Sequence, residues 1–196
     1  MPDAFTLLQQ AADLLPDDAR TPEGATPSDI RDCARGHDWE FAFHLLLAMG
    51  RTRSLPPGYW ALLADAAEQV GRKRTARWCG WLRGEAERGG LRAELVPAGP
   101  GEGPRRTPFD GDGRLRPMWD IGLRTPDGGL RLAVAALWVE DRPLLAPGES
   151  ATVRLAPLTP ALWHSVTVGQ SLTLYETREP GGRARVIGVV PPFRGG

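Results

Sequence analysis

The residues best suited to chemistry in this sequence are few and scattered. Cys33, His37 and His44 follow one another at spacings of four and seven, which would set a thiolate and two imidazoles along one helix face, the donor types of a zinc site. Gly36 interrupts that helix and no fourth ligand stands near, so a core cysteine with two partly exposed histidines is the favoured reading. His164 beside Ser165 supplies a base and a nucleophile, but neighbours on a strand project to opposite faces and cannot share a proton. Asp17-Asp18 reads as a solvated loop. Trp39, Trp60, Trp78 and Trp81 recur at helical spacing, which most simply fills a core. Trp78 and Trp81, however, stand beside Arg77 and Arg83, and tryptophan with arginine is the composition of interface anchors. These four are the candidate partner-binding residues. No catalytic, cofactor-binding or metal-binding set converges, so a chain without enzyme activity is expected.

Helical punctuation runs through the first half. Phe5, Leu8, Ala12 and Leu15 share a face of a first helix ending before Pro16. Thr26-Pro27-Ser28-Asp29 supplies an N-cap, a proline at the first helical position and an acid in the first turn of a second helix running to Gly36. Asp38 caps a third, with Trp39, Phe43, Leu46 and Leu47 on one face and Gly50 as its expected end. Pro56-Pro57 opens a fourth, carrying Tyr59, Trp60, Leu63, Ala67 and Val70 up to Gly71. A fifth holds Thr75, Trp78, Cys79 and Leu82. Together they predict a helical bundle over residues 1–90.

Residues 91–105 are punctuated so densely by Gly and Pro that they read as a linker. The periodicity then changes. Residues 117–123, 130–139, 150–155, 171–177 and 185–190 are rich in β-formers, with turn signals at Pro126-Asp127-Gly128-Gly129, Pro147-Gly148 and Pro180-Gly181-Gly182. Several short strands at such spacing predict an antiparallel barrel over residues 106–196. The fold class expected is α + β in two domains, a helical bundle followed by the barrel.

Within that second half, Arg106-Thr107-Pro108-Phe109, then Gly113, then Arg116-Pro117 opening a strand, resembles the start of domain III of elongation factor Tu. Pro147-Gly148 before a strand ending in Leu155 resembles the family's next turn. Val168-Gly169-Gln170, the run Leu172 to Tyr175-Glu176, and Arg185 through Gly188 to Val190 resemble its closing hairpin. The sequence departs from the family in having Tyr175-Glu176 where Arg-Glu is usual, Val189 where a second glycine is usual, and a longer turn over 179–182. The resemblance implies a β-barrel and permits contact with tRNA. It brings no GTPase: the sole lysine, Lys73, follows Gly71-Arg72 without the phosphate-loop glycine spacing, and a chain without asparagine cannot form the guanine-reading motif. More loosely, the helices around Asp38-Trp39 and Pro56-Pro57 resemble helical immunity proteins of bacterial polymorphic-toxin systems; a generic helical hairpin is the alternative.

Composition narrows the function classes. Basic and acidic residues number 24 each, and the halves come to roughly −2 and +2, so neither presents the field of a nucleic-acid module. The start lacks a basic signal-peptide region and no apolar run approaches the roughly 18 residues of a membrane span, so a cytoplasmic protein without a membrane partner is expected. Cys33 and Cys79 are expected as reduced thiols. The bias toward Ala, Gly, Pro and Arg suits a GC-rich bacterial genome. The sequence predicts a non-catalytic protein-interaction module with a protein partner, a toxin or a translation component being the candidates and an immunity-type protein the sharpest version, with a translation-associated tRNA-binding protein without GTPase activity as the alternative.

Overall fold

The computed structural model describes residues 2–36 and 38–195. They form two compact units, one running up to residue 87 and taking in the segment from residue 193 onward, the other of residues 88–192.

Five α-helices build the first unit: α1 (Ala4–Asp13), α2 (Pro27–Arg35), α3 (Trp39–Thr52), α4 (Pro57–Gln69) and α5 (Lys73–Arg88). Side chains cap the first three. Asp3 accepts from the Thr6 amide at 2.8 Å, Thr26 and Asp29 form a reciprocal capping box, and Asp38 accepts from the Phe41 amide at 3.2 Å. Each satisfies amides that the first helical turn leaves without a carbonyl. The core joins Leu8, Ile30, Phe43, Leu46, Met49, Tyr59, Leu63 and Cys79, all buried. Tyr59 ties α4 to α3 by donating its hydroxyl to the Leu46 carbonyl at 2.7 Å. The final segment returns to this unit: the Phe193 amide donates to the Ala86 carbonyl at 2.7 Å and its ring packs on the helical core.

Gly50, expected to end α3, lies inside it. A Cβ there would stand 2.1 Å from the Trp60 ring, so this glycine admits an aromatic side chain from α4 and the helix continues to Thr52.

The second unit is a closed six-stranded antiparallel barrel accompanied by a two-stranded sheet. In chain order the strands are β1 (Gly90–Pro97), β2 (Phe109–Asp110), β3 (Met118–Asp120), β4 (Ala133–Val139), β5 (Leu144–Leu145), β6 (Ala151–Pro157), β7 (Ser171–Tyr175) and β8 (Pro180–Val190), with a 3₁₀ turn over Pro160–Trp163. The barrel order is β1-β6-β4-β3-β7-β8, and β2 pairs with β5. Leu91, Ala93, Leu95, Ala135, Leu137, Val153, Leu155, Leu172, Leu174, Ala184 and Val186 join Trp119 in its buried interior.

Two expectations give way here. Residues 91–105, read as a linker, begin as β1, where Leu91, Ala93 and Leu95 face inward and Arg92, Glu94 and Val96 alternate with them. Pro180-Gly181-Gly182, read as a turn, starts β8, and the turn lies before it. A Cβ on Gly182 would come within 2.8 Å of the Pro97 Cα and the Val96 carbonyl, so glycine serves close strand approach.

Gly182→Ala should lower stability by about 1–3 kcal/mol, because the obstructing atoms are backbone and cannot swing aside. Gly80→Ala meets nothing within 4 Å and should raise stability by roughly 0.5–1 kcal/mol, the helix-propensity gain. Thermal melts of both variants check the contrast; equal shifts would refute the close-approach account.

Candidate functional site

In the helical unit Cys33 is half-buried on α2 and Cys79 is fully buried on α5, both as free thiols. Burial raises the Cys33 thiol, aided by the carboxylates of Asp38, Asp29 and Asp32, and pushes Cys79 up to about 12. Both are therefore protonated at neutral pH, the unreactive form. His44 is exposed on α3, and His37 lies outside the described residues. Among the described residues no group of three or more His, Cys, Asp or Glu is placed to hold a metal ion. His164 and Ser165 do not lie on a strand as expected. They follow the 3₁₀ turn, and both are exposed.

On α5, Trp78 and Trp81 are half-buried and pack against the helical core, while Arg77 and Arg83 are exposed. Arg83 pairs with Glu87 one turn on, at 3.0 Å. Trp60 is buried and Trp39 half-buried; the Arg72 guanidinium lies 5.4 Å from the Trp39 ring centroid and 6.0 Å from that of Phe43, and it pairs with Glu40 at 2.6 Å.

In the barrel unit the structure brings the opening and closing motif segments together. Pro117 is buried and leads into β3, whose Met118 stands opposite Tyr175 of β7. Phe109 is buried in β2, whereas Thr107, Pro108 and Arg116 are exposed. Arg105 links the two segments. Its Nε donates to both Glu176 oxygens at 2.8 Å, and its guanidinium lies 5.1 Å from the Phe109 ring centroid. A cleft of about 380 Å³ opens here, lined by Arg105, Pro108, Phe109, Asp110, Arg114 and Leu115.

A second cleft, of about 450 Å³, is bounded by Val96, Pro97, Gly99, Gly148, Pro180 and Arg183 among others. Gly148 sits there at φ +82°, and a Cβ would meet the Gly99 Cα at 3.5 Å. On β8, Ala184 and Val186 are buried, and Arg183, Arg185 and Ile187 alternate with them on the exposed side. Gly188 pairs with Arg92 at a bulge in the β1–β8 ladder.

Arg92 and Arg154 stand directly opposite each other on β1 and β6, an unfavourable pairing of like charges. Glu140, immediately after β4, resolves it. Arg92 donates to both its oxygens at 2.8 Å and Arg154 donates from Nε at 2.8 Å. Burial tends to raise the Glu140 carboxyl, but the hydrogen bonds and charges of Arg92 and Arg154 outweigh it and hold the group below its ordinary value.

Arg105, Glu140, Val96 and Arg183 were not singled out by sequence reasoning. The alternation Leu91 to Val96 was a usable signal for Val96, and Ala184-Arg185-Val186 for the β8 face. Nothing local marks Arg105 or Glu140, whose partners are remote in sequence. No protein-family model matches the chain, and no curated protein is similar to it.

Glu140→Gln should cost about 1–3 kcal/mol at neutral pH by leaving two facing arginines without a counter-charge. Because the folded carboxyl titrates below its unfolded value, its contribution is complete above the ordinary carboxylate range and is lost as pH falls through the folded value. The stability gap between wild type and Glu140→Gln should therefore close in acid. Denaturant melts across pH check this, and a gap that persists unchanged at low pH contradicts it.

Proposed function

We propose that this chain is a non-catalytic protein-interaction module, a helical partner-binding unit joined to a β-barrel of the elongation factor Tu domain III type that serves as a second binding surface. Its sharpest form is an immunity protein against a bacterial toxin. The observation that carries the reading is the exposed side of β8 and its neighbour β1, where Val96 and Ile187, 45% and 40% exposed, lie among Arg183 and Arg185. Aliphatic surface mixed with arginine is the composition of protein interfaces. A single-strand nucleic-acid platform would instead combine aromatic faces with several cations. The half-buried Trp78 and Trp81 edge of α5, with Arg77 and Arg83, supports a further contact surface on the helical unit.

The tRNA-binding alternative draws support from Arg106 and Arg116, exposed on either side of the opening segment. The near-neutral balance of the chain weighs against it, since phosphate neutralisation supplies most non-specific affinity. Affinity purification is expected to recover a defined protein partner, and co-expression should protect cells from the product of a neighbouring toxin gene. Recovery of none, together with no protection, rejects the proposal. Filter binding of tRNA across a salt series should give weak retention; tight retention that falls steeply with salt would favour the alternative.

A further inference from the structure

Resting on the interaction-module reading, we propose that the outer side of β8 docks an acidic, aliphatic segment of the partner protein, with Arg183 as the anchoring cation. The register makes Arg183 and Arg185 unequal. Arg185 lies opposite Glu94 on β1 and Ser171 on β7, so a carboxylate occupies its paired position, although the two form no ion pair. Arg183 lies opposite Val96 on β1 and Thr173 on β7, both uncharged. Among the described residues Arg183 makes no ion pair and no side-chain hydrogen bond, and Glu102, the carboxylate that shares its cleft, accepts from the Gly99 amide at 3.3 Å instead.

Its neighbours define what it would take. Val96, shared between the strand face and the 450 Å³ cleft, gives the guanidinium an apolar floor, and Ile187 extends the aliphatic surface two residues beyond Arg185. A partner carboxylate on Arg183, flanked by aliphatic side chains on Val96 and Ile187, would satisfy both the charge and the exposed apolar area. Glu102 lines the same cleft and Glu94 stands in the next row, so a ligand carrying a continuous run of anions meets repulsion on both sides. This excludes a phosphate backbone better than it excludes a single acid. Over residues 182–185 β8 is paired with β1 on one side and β7 on the other, so around Arg183 the partner engages through side chains and adds no strand to the barrel.

The test is selection of a random peptide display library on the immobilised full chain, followed by binding of the enriched peptides to variants. Enriched sequences should carry Asp or Glu beside Val, Ile or Leu. Arg183→Glu should weaken them at least roughly 10-fold, and Arg183→Gln should weaken them less. Arg131→Glu, the same charge change at another exposed position of the barrel unit, should leave binding within about twofold, as expected for a remote rim charge. Matching melts confirm that the variants fold. Enrichment of basic or acid-free peptides, no enrichment, or equal loss in Arg131→Glu overturns the proposal, as does competition of the peptides by tRNA. If Arg183→Glu abolishes peptide binding but spares toxin protection, this surface is not the partner's site, while the interaction-module reading stands.

Discussion

The barrel depends on β1 pairing on both sides at once. Through residues 91–95 it meets β6, and through residues 90–97 it meets β8, so the first strand of the unit closes the sheet onto the last. Without it β6 and β8 would each present a row of unpaired amides and carbonyls, and Leu91, Ala93 and Leu95 would leave the interior open at one seam. The seam is tight enough that glycine is required where Gly182 passes Pro97. A bulge between Arg92 and Ala93 then shifts the register, which turns the end of β8 relative to its start. The exposed face of β8 follows from the pleat of the strand, which sends Arg183 and Arg185 outward while Ala184 and Val186 turn in.

Arginine does two different jobs on this barrel, and carboxylates separate them. Glu140 gathers Arg92 and Arg154, and Glu176 gathers Arg105, across sequence separations of 48, 14 and 71 residues. The planar guanidinium suits such bridges because it presents several donors in a fixed fork, which a lysine cannot. Both carboxylates keep only 14% of their side-chain surface, so the bonds operate where solvent screens them little. The Glu176 contact fixes the opening segment against the closing strand, and the cation above Phe109 adds to it.

How much of this was legible in the sequence divides along the range of the interactions. The helices announced themselves through Thr26, Asp38 and Pro57 and through apolar spacing, because caps and amphipathic faces are local properties. The strand runs of the second half were legible for the same reason, although Leu144–Leu145 and Phe109–Asp110 were too short to show a period. Glycine misled where its role was tertiary. Gly50 yields to Trp60 and Gly182 to Pro97, yet each reads locally as a stop or a turn. The same density of Gly and Pro hid β1, whose alternation is evident once Leu91 to Val96 is taken alone. Of the residues lining the clefts, Pro108, Phe109 and Gly148 stood in segments that the motif pattern had marked. Arg105 and Glu140 were not, because their partners are set only by the fold.

The division between clamped and unclamped arginines also bears on the docking surface proposed for a chain with no net charge. A guanidinium held by a buried carboxylate has exchanged water for a fixed partner, and drawing it toward a ligand would strand that carboxylate at a large desolvation cost. Arg92, Arg105 and Arg154 are held in this way and serve the fold. Arg183, with Val96 and Thr173 beside it, has made no such exchange. Net charge therefore says little about recognition here, since the clamped arginines enter the total while contributing almost nothing to the surface field. Along β8 a cation without an ion pair, Arg183, stands among exposed apolar side chains, Val96 and Ile187, and that coincidence is what the proposed docking surface draws on.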